Sequence, residues 1–177
     1  MRRPPAIQPL LLLAAPLLVG ACRGSDAAGR PRAATEGRLV LTWRGGAELM
    51  DAPGRATYCA GDSMLTIFAV DRRWGAGLVL HGRFPVDSTR AFAVRPTLGD
   101  AGTATAAFRS VSDSVQRAVM ALRGTVWLEP GGRATGHFEI GAAPLPRRSD
   151  PVHLVGAFRS LPTADSSTTC SAWSRTP

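Results

Sequence analysis

The chain is 177 residues long with a formal net charge of +8, and its basic residues are all arginine, because it contains no lysine. The arginines are scattered, with short pairs at Arg72-Arg73 and Arg147-Arg148, and aromatic residues make up only 6% of the chain. That pattern excludes the clustered cations and stacking platforms of a nucleic-acid binder; an excess of Arg, Ala, Gly and Pro without Lys or Asn reads instead as a GC-rich coding bias at neutral positions.

The first element is an export signal. Arg2 and Arg3 supply positive charge, Leu10 to Val19 is apolar apart from Pro16, and Gly20 and Ala21 are small. Charge, a short greasy core and small residues in that order define a secretory signal peptide over residues 1–21. A membrane-spanning helix needs about 20 apolar residues, and Gln8, Pro9 and Pro16 interrupt a run that is already shorter.

The run ends in Val19-Gly20-Ala21-Cys22, which resembles the lipobox of bacterial lipoproteins. The resemblance implies cleavage before Cys22, a diacylglycerol on its sulfur, and a further acyl chain such as palmitate on its new amino group. Two or three chains anchor stably where one binds marginally. In that family an Asp after the Cys favours inner-membrane retention; Arg23 stands here, so the expected place is the cell envelope, lipid-anchored at the outer membrane. Residues 22–37 carry the lipidated Cys and "RGSDAAGRPRAATEG", which has no large apolar residue. Such a segment cannot bury enough surface to order itself and reads as a flexible tether.

Residues 38–177 are expected to form a single β domain, a normal size for one core. Apolar residues alternate with period two between turn residues. Strands are expected at Leu39 to Trp43, Ala56 to Ala60, Met64 to Val70, Gly77 to Phe84, Thr89 to Arg95, Thr103 to Arg109, Arg117 to Glu129, Arg133 to Ile140 and Val152 to Arg159. About nine strands with short links predict an all-β antiparallel sandwich or barrel. At most one short helix fits, in "SVSDSVQRAVMAL" from Ser110 to Leu122, with Asp113 as its cap. Folding the last strands at Pro130-Gly131-Gly132 sets Leu128 by Ala134, Val126 by Gly136 and Gly124 by Phe138. The same alternation sets Phe138 by Leu154, Gly136 by Gly156 and Ala134 by Phe158. One face of this sheet is then the core, and Thr135, His137, Glu139 and His153 face solvent.

With Cys22 taken by lipid, Cys59 and Cys170 form an even pair in an oxidising compartment, and a disulfide between them is expected to pin the tail from Pro162 to Pro177 onto the domain. They lack the CxxC and paired-His spacing of a zinc site, and their separation is too long for the immunoglobulin pair.

Three constellations suggest chemistry. Gly61-Asp62-Ser63-Met64 resembles the start of the GDSL motif of SGNH esterases, and Asp150-Pro151-Val152-His153 supplies that family's late Asp-x-x-His. The resemblance implies Ser63 as nucleophile, His153 as base and Asp150 as its orienter. Against it, the family is α/β, Ser63 leads into a strand, and the chain has no Asn for the oxyanion hole. His137, Glu139 and His153 converge on the expected outer face in the pattern of a two-His, one-carboxylate metal site, but no short-range ligand motif supports it, and a weak Glu139–His153 pair on a polar face explains them. His81 reads as another outward strand residue. Trp43 and Trp127 read as core or rim packing. Trp74 lies in the turn Asp71-Arg72-Arg73-Trp74-Gly75, so Arg72, Arg73 and Trp74 are the candidate contact with phosphate-bearing lipid or a partner protein; a Trp74 folded back over a sheet edge is the competing reading.

The functional expectation is a non-enzymatic envelope lipoprotein, membrane-bound through its lipid, whose β domain binds a protein or surface component. No metal, other cofactor or nucleic acid is expected. The domain resembles the small β-rich envelope lipoproteins of bacteria to which no activity is assigned. The alternative is a lipocalin-like carrier, with the strands closed around an apolar ligand; the lipocalin Gly-x-Trp opening is absent near Leu39 to Trp43.

Overall fold

A computed structural model describes residues 37–43, 48–112, 115–145, 151–166 and 170. All of them lie in the second of two units into which the chain divides, Ala33–Pro177. The signal segment, Cys22 and the tether lie outside the described residues.

Ten strands follow one another: β1 (Arg38–Trp43), β2 (Glu48–Cys59), β3 (Met64–Val70), β4 (Trp74–His81), β5 (Arg90–Val94), β6 (Thr103–Ser112), β7 (Val115–Leu128), β8 (Ala134–Leu145), β9 (Val152–Leu161) and β10 (Thr163–Ser166). No helix of the α type occurs among the described residues. β1 pairs with both β2 and β9, so the sheet closes into a barrel. β5 is a wedge. At one end it lies parallel to β6 and antiparallel to β7, and beyond it β6 and β7 pair directly. A mirrored device works at β1: below its first residue the chain from β9 crosses over as β10 and runs parallel to β2 at Ala56 to Cys59. The wedge of β5 lets the barrel change circumference along its axis, and β10 carries the ladder on along β2 where β1 has ended.

The interior is dry and filled. Leu39, Leu41, Leu65, Leu78, Ile140 and Phe158 are 0% exposed, and Phe92 and Phe138 are 1% exposed. Side chains that leave no surface accessible to a water-sized sphere must close on one another. A barrel of about eight strands is just wide enough for that. Phe84 and Val86, from the connection between β4 and β5, join the same core cluster at one mouth. No polar side chain is buried among the described residues.

Several expected boundaries move, each for a visible reason. β2 begins at Glu48, not Ala56, because Met50, Ala52 and Ala56 continue one inward face through Pro53-Gly54. Pro53 sits at the end of the β1 pairing, where a missing N–H costs little, and the Gly54 amide donates to the Gly37 carbonyl at 2.9 Å. β4 runs from Trp74 to His81, so Phe84 is a loop residue that is nonetheless buried. The expected helical turn is a β-hairpin: Ser112 pairs with Val115, and Val119 and Ala121 point inward. Helix propensity is a weak prior, and the free edge of β6 outweighs it. Asp113, the expected cap, lies outside the described residues.

The C-terminal register shifts by two residues from the expected one. Leu128 pairs with Gly136, Val126 with Phe138 and Gly124 with Ile140. Across the next ladder, Phe138 pairs with Gly156, Gly136 with Phe158 and Ile140 with Leu154. An even shift keeps the same residues inside, so the expected core face stands while its partners change. The cause is packing: a Cβ at Gly156 would sit 2.2 Å from Phe138 Cζ, and one at Gly136 would sit 2.6 Å from Phe158 Cζ. Each ring needs a bare glycine across the ladder. The expected register set glycine against glycine and ring against leucine. Phe138 therefore covers Gly156, not Gly124.

Candidate functional site

On the outer wall, β7, β8 and β9 carry three transverse rows. Arg123, Gly141 and His153 form one; Thr125, Glu139 and Val155 the next; Trp127, His137 and Ala157 the third. Gly141 has no side chain, and the register slips between Ala121 and Arg123. A bulge bends its strand and re-aims side chains, and here the wall is hollowed into a groove of about 570 Å³ lined by residues that include Arg123, Trp127, Glu139, Val152 and His153.

The groove offers recognition chemistry. Trp127 and His137 stack with ring centroids 4.7 Å apart and planes at 14°. His153 Nε2 stands 4.0 Å from Glu139 Oε2, with the two side chains 37% and 54% exposed. At that separation, with the Glu139 side chain more than half exposed, the pair contributes little attraction; His153 Nε2 itself is buried with no hydrogen-bond partner among the described residues, so Glu139 is the member of the pair that a ligand reaches. Among the described residues that line the groove there is no serine or cysteine, and Glu139 is the one carboxylate. The described lining therefore supplies an aromatic plate, an arginine, a histidine and a carboxylate.

His137, Glu139 and His153 do not come together in the two-His, one-carboxylate pattern, in keeping with the weak Glu139–His153 pair expected in its place. Glu139 pairs with Val155, not His153, and its contact with His153 is diagonal; His137 turns to Trp127. Potential ligands do converge at Cys59, Asp62 and Cys170, whose ligand atoms lie within 4.8 Å of one another. The two sulfurs there are bonded to each other in the expected disulfide, with a sequence separation of 111, and so cannot serve as thiolates. Cys170 lies buried over the outer side of β2 and β3, with its Sγ 3.6 Å from Thr66 Oγ1. Together with β10 on β2, this pins the start of the C-terminal tail; residues 167–169 and 171–177 lie outside the described ones.

Ser63 and His153 are at opposite ends of the barrel. Ser63 precedes β3 in the turn that follows β2, while His153 begins β9, which runs antiparallel to β1 and therefore opposite to β3. Asp150 lies outside the described residues. Ser63 takes a positive φ of 53° and its carbonyl accepts from the Gly82 amide at 2.7 Å, so its backbone shapes a turn. His81 Nδ1 is 2.7 Å from the Gly99 carbonyl, which ties the loop before β6 to the end of β4.

At the other end, Asp71 Oδ1 accepts from the amides of Arg73 and Trp74 at 2.6 Å each, an Asx turn that starts β4. Arg72 and Arg73 are exposed; Trp74 is half-buried and packs on the core cluster. The Trp43 side chain lies outside the described set. The sequence reading missed the groove because it depends on a bulge and on Gly141, neither of which alternation reveals. Comparison with known protein families, with curated proteins and with solved structures finds no match to this chain.

Proposed function

We propose that this is a non-enzymatic, lipid-anchored envelope protein whose barrel binds a protein or surface component through its outer wall. The observation that carries the reading is the filled interior: side chains 0–2% exposed leave no hollow for a cargo, so recognition falls to the exterior. There the groove at Trp127, Arg123, Glu139 and His153 offers stacking and hydrogen bonding together. The same filling weighs against a carrier of apolar ligands, and the separation of Ser63 from His153 weighs against esterase chemistry. An intramolecular disulfide suits an exported chain, as does the lipobox at Cys22.

Metabolic labelling with a radioactive or clickable palmitate tests the anchor. Label is expected in the wild type and lost in Cys22→Ser; an unlabelled wild type refutes the anchor. The groove is tested by a panel of envelope glycans and purified envelope proteins, with binding lost in Trp127→Ala at unchanged melting temperature. Binding that survives both Trp127→Ala and Glu139→Gln places recognition elsewhere.

A further inference from the structure

The opposite wall carries a second surface of different chemistry. Phe68 is 45% exposed and Val70 37%, the large hydrophobics left exposed among the described residues, and both project outward from β3. The registers extend them into a band. Arg55, Phe68, Gly77, Ala107 and Met120 form one row across β2, β3, β4, β6 and β7. Val70, Gly75, Arg109 and Ala118 form the row beside it. Gly77 and Ala107 keep the first row low beside Phe68, while in the second the Arg109 side chain covers Gly75 next to Val70, so Phe68 and Val70 are the apolar side chains that project.

Arginines flank and cross these rows. The Arg55 guanidinium lies 5.7 Å from the Phe68 ring centre. Arg109 lies along Gly75, where an added Cβ would come within 3.1 Å of its Cγ. Arg72 and Arg73 are exposed in the turn between β3 and β4. Two described carboxylates on β2 and in the β3–β4 turn are engaged: Asp51 with Arg38 at 2.6 Å, and Asp71 with two backbone amides. Proud apolar residues within a fringe of arginines are the complement of a bilayer interface bearing anionic headgroups. The apolar groups enter the headgroup boundary and the cations meet phosphate.

We propose that the wall formed by β2, β3, β4 and β6 lies on an anionic lipid surface, with Phe68 and Val70 inserted and Arg55, Arg72, Arg73 and Arg109 on phosphate. In the closed ring β3 lies four strands from β8 in one direction, through β4, β6 and β7, and in the other, through β2, β1 and β9. A barrel resting on this wall therefore turns the Trp127 groove away from the membrane. The inference uses the lipid-anchor reading only to bring a membrane within reach.

Hydroxyl-radical footprinting of the full lipidated chain on vesicles tests it. Phosphatidylcholine vesicles are compared with vesicles of phosphatidylcholine and phosphatidylglycerol. On the anionic vesicles, labelling of Phe68, and of Met120 at the β7 end of its row, is expected to fall several-fold while that of Trp127 does not change. High salt is expected to restore it, because the screening length drops to about 3 Å at 1 M. Phe68→Ser, and separately Arg55→Gln with Arg109→Gln, are expected to fold normally and lift protection from Met120. Equal labelling of Phe68 on both vesicles overturns the proposal, as does protection of Trp127 in its place. Protection of Phe68 in intact cells but on neither vesicle assigns the wall to a protein partner and also overturns it. Failure of the anchor reads separately, as absence of the acyl mass on the Cys22 peptide.

Discussion

Gly156→Ala puts the observed register to a direct test. The added Cβ would lie 2.2 Å from Phe138 Cζ, 2.7 Å from Phe138 Cε1 and 2.5 Å from the Val40 carbonyl oxygen. The ring can retreat only into a core in which it is 1% exposed, and the carbonyl belongs to the β1–β9 ladder. Overpacking of this kind costs about 1–3 kcal/mol. With backbone and ring both opposed, the upper part of that range applies, or a fall in Tm of roughly 6–12 °C for a domain of this size. Urea titration with the disulfide intact measures it as a lower midpoint at unchanged slope. Combining Gly156→Ala with Phe138→Leu removes the ring contact, so the two changes are expected to couple favourably by about 0.5–1 kcal/mol. Gly132→Ala is the control: its Cβ would meet nothing within 4 Å, and the change is expected within about 0.5 kcal/mol of wild type. With Gly156 set against Gly136, as plain alternation pairs them, alanine would meet no ring and only the Val40 carbonyl of β1, and Phe138→Leu would bring no relief. Wild-type stability of Gly156→Ala, or no relief from Phe138→Leu, would therefore refute the ring-on-glycine packing.

Three further outcomes are expected. Reducing the Cys59–Cys170 bond, or replacing both residues by alanine, should lower stability by about 2–5 kcal/mol given the long loop it closes; two titratable thiols in the unreduced, denatured domain would contradict the bond. Asp71→Ala removes the acceptor of two amides at 2.6 Å, and about 1–2 kcal/mol should be lost in thermal melts, as for other charged acceptors of backbone N–H groups; no loss would mean the turn holds without it. Glu139→Gln should leave stability within about 0.5 kcal/mol, because its partner His153 is 4.0 Å away and the carboxylate side chain is more than half exposed; a large loss would make the pair structural and take it out of the groove's recognition chemistry.

Much of the barrel is legible in the chain itself. Met64 to Val70 was expected as a strand and is β3 residue for residue; strict alternation between a Gly-Asp turn and Asp71-Arg72-Arg73 leaves little else open. The inward set Val126, Leu128, Ala134, Phe138, Leu154 and Phe158 is also the buried set, because a pleated strand puts every second side chain on one face. The cysteine pairing follows from parity. The groove was not legible. Alternation turns His137, Glu139 and His153 outward, yet the hollow that Glu139 and His153 line depends on a slip at Ala121/Arg123 that leaves no local mark.

The sequence by itself determined which residues face inward and that strands, not helices, carry them, since side-chain periodicity is a local property of the backbone. Only the tertiary structure decided who sits opposite whom. A slide by two residues costs alternation nothing, and the choice among such slides rests on whether Phe138 and Phe158 each find a glycine across the ladder. Closure of the sheet at β1, the wedge of β5 and the separation of an aromatic groove from an arginine-edged apolar wall are likewise products of strands far apart in the chain. No segment contains that information alone, because each depends on the width of a space that its partners define.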